Sequence, residues 1–279
     1  MQNLIYPKGN PPCTVAKFLK DLDFSLTHRR KIKRQAELYV NGSKVLSNDI
    51  INPGQTLSIV FPVSCSVLPQ KGHLNIIFQD DYILVVDKPA NMLVHPVGME
   101  LEGTLANYLC DYLQGNDFEG IHFVSRLDRD TSGLILVAKT AHVKYLFSKC
   151  KIRKFYLARL QGFPPAKLGI INLPIAKKNN SIIEHETSIH GKTAFTFYKN
   201  LSKSPDGSCL VQLEAITGRT HQLRVHMAAL GCPITGDSLY GNKGSKTRHL
   251  LHACALSFCH PITNEMLLIK NKLPMDMQK

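Results

Sequence analysis

The densest run of side chains able to do chemistry is Ser125-Arg126-Leu127-Asp128-Arg129-Asp130-Thr131-Ser132-Gly133, directly ahead of the apolar stretch Leu134-Ile135-Leu136-Val137-Ala138. Polar loops beside rigid strands often carry reacting groups. Asp128 stands between two arginines, so its carboxylate is expected to stay ionised and able to attack or to take a proton. The same residues also suit a charged turn in which Asp130 or Thr131 satisfies backbone donors. A second segment, 217–227 (TGRTHQLRVHM), predicts a helix over 219–230, capped by Thr217 and stopped by Gly231. His221 and Arg224 then share one face at i, i+3. A basic helix start suits phosphate, and it equally suits a solvated face. A third candidate is Tyr156: alternation along 153–159 puts Lys154, Tyr156 and Ala158 on one face and Phe155 and Leu157 on the other. A strand tyrosine packs in a core or stacks on a nucleobase.

Other chemistries are absent from the pattern. Gly191-Lys192-Thr193 looks like the end of a phosphate-binding loop, but Glu186 stands where the first glycine must be. No glycine-rich dinucleotide fingerprint follows a strand, and neither a G-x-S-x-G elbow nor an H-E-x-x-H pair occurs. None of the 12 histidines falls in a zinc-like group. The eight cysteines are scattered with no Cys-x-x-Cys pair, which suits thiols in a reducing compartment and a cytoplasmic location. Chemistry without cofactor or metal is expected.

The elements that must position these residues divide into two parts. The stretch 62–72 (PVSCSVLPQKG) has no helical or strand period and predicts a linker, giving domains at 1–65 and 66–279. In the short part, Val15, Phe18, Leu19 and Leu22 recur at helical spacing, and Arg29, Arg30, Lys31, Lys33 and Arg34 cluster on a second helix. Asn41-Gly42 between apolar runs predicts a hairpin, and a strand follows Pro53-Gly54. The longer part predicts strands near 74–78, 82–86, 134–138, 155–160, 194–198, 210–215 and 266–269, and helices near 104–113, 141–149 and 219–230. Strands 74–78 and 82–86 are too close for a crossover helix, so a mixed, largely antiparallel α+β sheet is expected.

Lys and Arg number 34 against 21 Asp and Glu, a net charge of +13 that suits a polyanionic partner. No apolar run approaches the roughly 18 residues of a membrane-spanning helix, and the first residues lack a secretory-signal pattern.

Together these segments resemble the RluA-type family of RNA pseudouridine synthases. Asp80-Asp81-Tyr82-Ile83-Leu84-Val85-Val86-Asp87-Lys88-Pro89-Ala90 with Val94-His95-Pro96 matches the family's first motif, and 126–134 matches its catalytic motif. Lys154 to Ala158 matches the tyrosine strand, and 217–226, Gly231-Cys232-Pro233-Ile234, 236–241 and Leu251-His252-Ala253 follow in family order. One departure is Ser125, where the family usually has His. The element order over 12–61 resembles, in degenerate form, the S4-like RNA-binding domain.

The resemblance implies a pseudouridine synthase fold behind an S4-like domain, and an isomerase that needs no cofactor. It implies that Asp128 is the catalytic aspartate, that Tyr156 lies against the flipped base and that Arg224 pairs with the carboxylate. Arg126 would fill the gap left by the base. Arg129, Arg219, His221 and the basic helix residues Arg29, Arg30, Lys31, Lys33 and Arg34 are the expected RNA contacts. The expected partner is RNA, large-subunit ribosomal RNA ahead of transfer RNA, with no membrane association and a monomeric state. A catalytically silent RNA-binding or ribosome-assembly protein is the rival reading.

Overall fold

The computed structural model describes residues 2–61, 67–114, 120–241 and 247–278. The N-terminal unit runs β1 (Gln2–Ile5), β2 (Cys13–Thr14), α1 (Val15–Asp21), α2 (Leu26–Gln35), β3 (Glu37–Val40), β4 (Ser43–Val45), β5 (Ile50–Ile51) and β6 (Thr56–Val60). Thr14 and Ser25 cap the two helices by accepting from Lys17 N and His28 N, each at 3.2 Å. Asn41 and Gly42 both have positive φ, 48° and 84°, which is what a two-residue hairpin turn between β3 and β4 requires. The antiparallel sheet β1-β6-β3-β4 covers a core of Val15, Phe18, Leu19, Ile32, Leu57 and Ile59. The helices, hairpin and final strand expected here are all present; β1, β2 and β5 have no counterpart among the expected elements.

The longer unit continues with β7 (Asn75–Gln79), β8 (Ile83–Lys88), α3 (Leu105–Leu113), β9 (His122–Phe123), β10 (Ser132–Ala138), α4 (Ala141–Phe147), β11 (Arg153–Gln161), β12 (Leu168–Asn172), β13 (Ile175–Lys177), β14 (His185–Thr187), β15 (Phe195–Lys203), β16 (Ser208–Ala215), α5 (Gln222–Ala229), β17 (Leu251–Cys259) and β18 (Met266–Lys270). Its main sheet has the order β12-β15-β16-β11-β17-β10-β8-β7, with β18 on β17 and β9 on β10. Every pairing in it is antiparallel except β10 with β17. This is the mixed, largely antiparallel sheet expected from the short 74–86 connection.

Alternation explains how β10 is buried along its whole length. Ile135 and Val137 join Leu84 and Val86 of β8 against Leu105 and Leu109 of α3. Leu134 and Leu136 join Ile83 and Val85 against Val143 and Phe147 of α4. A third core, Tyr156, Ala158, Val211 and Leu213, is closed by Leu223 and Met227 of α5. Phe24 of the N-terminal unit stacks on His142 of α4 at 3.6 Å between ring centres, and Asp23 pairs with Lys149.

Several expectations are corrected. Helix α5 begins at Gln222, and its N-cap is His221, in the left-handed region with φ 53°. Thr217 does not cap it: its hydroxyl accepts from Phe195 N and donates to the Gln222 side chain. Strands β9, β12, β13, β14 and β17 have no counterpart among the expected strands. Part of the expected linker, residues 62–66 and with it the boundary at 65/66, lies outside the described residues. The rest is bound: Asn107 of α3 donates to Leu68 O and accepts from Gln70 N at its carbonyl. Six of the cysteines are free thiols, whereas Cys110 is disulfide-bonded, against the expectation of thiols throughout.

The parallel pairing fixes the loop ahead of β10. Ser132 and Gly133 lie opposite His252 and Ala253, and Ser132 Oγ meets His252 Nδ1 at 2.9 Å. Gly133 has φ +113°, and a Cβ there would stand 2.3 Å from Ala253 O. Gly133→Ala is therefore expected to cost about 3 kcal/mol of stability, through strain and a forced separation of β10 from β17. An unchanged midpoint in urea unfolding would contradict this packing.

Candidate active site

The loop from Ser125 to Thr131 opens into a cavity of about 620 Å³, a size that suits a nucleotide-scale ligand. Asp128, Tyr156, Arg224, Arg126, Arg219 and His221 all line it, although they come from two loops, a strand and a helix. Lys144 and Lys154 add positive charge to its wall.

Asp128 O accepts from Thr131 N at 3.2 Å, so the segment is a turn, but the backbone closes it and not the side chain of Asp130 or Thr131. The Asp128 carboxylate is not used to satisfy that turn. Its Oδ2 accepts from Arg224 Nη1 at 3.2 Å, and its side chain is 31% exposed. Among the described residues, Oδ1 has no protein hydrogen bond and is left available for chemistry.

Arg224 is itself held from behind. Its Nε and Nη2 donate to the two oxygens of Asp237, at 2.7 and 2.9 Å. Asp237 is fully buried, and its Oδ1 also accepts from Leu239 N and Tyr240 N. Burial pushes the Asp237 carboxyl up, but the bonds and charge of Arg224 outweigh it and hold it below the ordinary aspartate range. Burial likewise works against the Arg224 guanidinium, and the two carboxylates outweigh it, giving a net rise. Asp237 falls inside a matched motif but carried no assigned role; it follows α5 in an irregular segment, where no period announces its direction.

The turn is pinned on two further sides. Lys88, fully buried at the end of β8, donates to three carbonyls, those of Pro89, Met92 and Arg129, at 2.8–2.9 Å. Burial draws its ammonium down to about 7, opposed by Asp130 and Asp128. Thr131 Oγ1 meets His249 Nε2 at 2.8 Å, and burial takes His249 down to about 4, so that ring is neutral. Ser125, in the position where the family usually has His, lines the cavity, and its Oγ accepts from Leu136 N at 3.4 Å.

Tyr156 is 8% exposed and shares the cavity wall with Lys154, as the alternation required. Burial first, and then Asp128, raise its phenol well above the usual range, so it keeps its proton.

Other expected RNA contacts lie elsewhere. Arg129 turns away from the cavity to Asn91 and Glu100, so the arginine neighbouring Asp128 in sequence is not its partner. On α2, Arg30, Lys33 and Arg34 are exposed. Arg29 donates to Phe24 O and Lys31 lies over the Phe61 ring, so these two also serve packing.

The buried pair sets a pH dependence. Because the native Asp237 pKa is lowered, its pair with Arg224 stabilises the fold at neutral pH. That stabilisation is lost as pH falls through the lowered native value. Asp237→Ala is expected to cost about 3–5 kcal/mol at pH 7 by stranding a buried guanidinium, with the gap to the native protein narrowing on acidification. A gap that stays constant down to acid unfolding would contradict this.

Known proteins match the arrangement in sequence and fold. A sequence model described as RNA pseudouridylate synthase matches residues 82–229. The chain is 39% identical over 252 residues to the "Uncharacterized RNA pseudouridine synthase YhcT" of Bacillus subtilis, covering 87% of this chain and 83% of that protein. It is 35% identical over 248 residues to the "Ribosomal large subunit pseudouridine synthase D" of Zymomonas mobilis, covering 80% and 76%. The solved structure of "Human RNA Pseudouridylate Synthase Domain Containing 1" superposes with a TM-score of 0.59 at 28% identity, covering 72% of this chain and 83% of that one.

Proposed function

The chain belongs to the RNA pseudouridylate synthase family and is an isomerase acting on RNA, and on that premise we propose that it converts specific uridines of large-subunit ribosomal RNA to pseudouridine, with Asp128 as the reacting carboxylate. The observation that carries the role of Asp128 is its geometry: Oδ2 held by a buried arginine, Oδ1 unengaged, at the wall of a nucleotide-sized cavity.

In this reaction the N1–C1′ bond breaks, the uracil turns, and a C5–C1′ bond forms. The C5 proton leaves and N1 gains one, so nothing is oxidised or reduced. Asp128 has two roles open to it, attack at C1′ and removal of a ribose proton; both need an ionised carboxylate held against the sugar. Arg224 supplies the counter-charge, and Asp237 keeps it aimed. Flipping the uridine out costs a few kcal/mol, which cavity contacts offset. Tyr156 offers a ring face to the base and a protonated hydroxyl near its C5 edge. Arg126, exposed on the rim, is placed to stack in the vacated gap.

Ribosomal RNA as substrate rests on relatives such as the Zymomonas mobilis protein, whose name gives the large ribosomal subunit. The N-terminal unit is read as an S4-like RNA-binding domain, supported by its element order and by exposed Arg30, Lys33 and Arg34 on α2. The protein is read as acting as a monomer. Phosphate contacts from this unit and from Lys144, Lys154 and Arg219 would give salt-dependent affinity.

Tritium release from RNA labelled at uridine C5 tests the proposal, because that hydrogen must leave when C5 bonds to the sugar. The native protein is expected to release tritium from ribosomal RNA, and Asp128→Asn to lower the rate by at least about 10⁴-fold with RNA binding retained. Release by Asp128→Asn at the native rate would overturn the role of Asp128. Release from transfer RNA alone would overturn the substrate. Binding with no release from either, pre-ribosomal particles included, would indicate a silent RNA-binding protein.

A further inference from the structure

His221 occupies a place that its position in a motif does not explain. It is a non-glycine residue with φ 53°, directly ahead of α5, and its side chain makes no capping bond. A residue held in the left-handed region at a cavity wall points to a requirement on its side chain. The ring is held at one end and faces the carboxylate with the other. Nδ1 meets Tyr240 Oη at 2.8 Å, and Nε2 lies 3.9 Å from Asp128 Oδ2, the oxygen that Arg224 also holds.

The Tyr240 hydroxyl settles which nitrogen carries the proton. It already accepts from His185 N at 2.9 Å. Burial raises the Tyr240 phenol, so its own proton stays on. A protonated Nδ1 on His221 would leave that hydroxyl accepting twice and donating to nothing in the network. With Nδ1 as acceptor, the hydroxyl both accepts and donates, and the remaining proton sits on Nε2, facing the carboxylate. Burial also draws His221 below the ordinary histidine range, which keeps the ring neutral at pH 7.

We propose that His221 is a positioning residue for Asp128: Tyr240 fixes it as the neutral Nε2–H tautomer, and that N–H is a second donor to Asp128 Oδ2 beside Arg224. The 3.9 Å separation is longer than a hydrogen bond, and a shift of about 1 Å closes it; catalytic contacts commonly tighten in this way when substrate fills the site. Two donors on one oxygen fix the rotation of the carboxylate and present Oδ1 to the sugar. The inference rests on the reading of Asp128 as the reacting group.

Two readouts test it on the full chain. Nitrogen-15 NMR of the histidine-labelled protein reports the tautomer without any RNA. The native protein is expected to show His221 protonated at Nε2, and Tyr240→Phe to shift population to the Nδ1–H form. An Nδ1–H ring in the native protein, or no change in Tyr240→Phe, would overturn the proposal. The second readout is tritium release from C5-labelled ribosomal RNA by His221→Asn and His221→Gln. Asn tolerates the left-handed backbone and retains a group near Nδ1, but has nothing at Nε2; the Gln amide reaches the Nε2 position. His221→Asn should lose about tenfold or more in kcat with KM within about twofold, and His221→Gln should recover most of the loss. Equal rates for Asn and native, or equal losses in Asn and Gln, would show that the Nε2–H does not act. If the native protein releases no tritium, the reading of Asp128 fails, while the NMR result still decides the tautomer.

Discussion

A buried guanidinium shared between two carboxylates organises this site. Arg224 is almost fully enclosed, and an isolated charge there would be costly. Asp237 takes two of its donors in a fork-to-fork pair, and two backbone N–H groups in turn hold Asp237. Only then can the remaining Nη1 reach across to Asp128, 96 residues away in the chain. The partly exposed partner is the one that faces the cavity, and the fully buried one is the anchor. Removing the anchor would cost the protein both stability and the aim of the Asp128 carboxylate.

The sheet makes that meeting possible. The parallel contact of β10 with β17 brings the Asp128 turn beside the segment that carries His249, while β11 delivers Tyr156 and α5 delivers Arg224. A buried ammonium, Lys88, ties the same turn to the end of β8 through Arg129 O. The turn is therefore rigid although it is rich in charge. Arg126, Lys144, Lys154 and Arg219 line the cavity, and Arg30, Lys33 and Arg34 lie exposed on α2, so basic residues serve attraction outside while Arg224 serves orientation inside.

Much of this was legible in the residues. The Asp128 loop, the alternating face of Tyr156 and the helix carrying Arg224 follow from pattern, as does the Asn41-Gly42 hairpin. The parts that were not legible have physical reasons. Strand β17 (LHACALSFC) is buried on both faces over most of its length, so its residues show no alternation of apolar with polar. The sequence sets the start of α5 too early because Thr217 has the chemistry of a cap but spends its hydroxyl on Phe195 and Gln222. Arg129, an expected RNA contact next to Asp128 in the chain, is sent by the turn to Glu100. Sequence neighbours on a turn point in different directions, and long-range partners such as Asp237 become visible only once the chain is folded.

The claim that Asp128 makes pseudouridine in ribosomal RNA is tested most directly in the cell. Pseudouridines would be mapped at single-nucleotide resolution in large-subunit ribosomal RNA from a strain lacking the protein, and again after return of the native chain or of Asp128→Asn. One or a few positions should lose the modification, regain it with the native chain and stay unmodified with Asp128→Asn. A map that does not change, or one restored equally by both chains, would contradict the account.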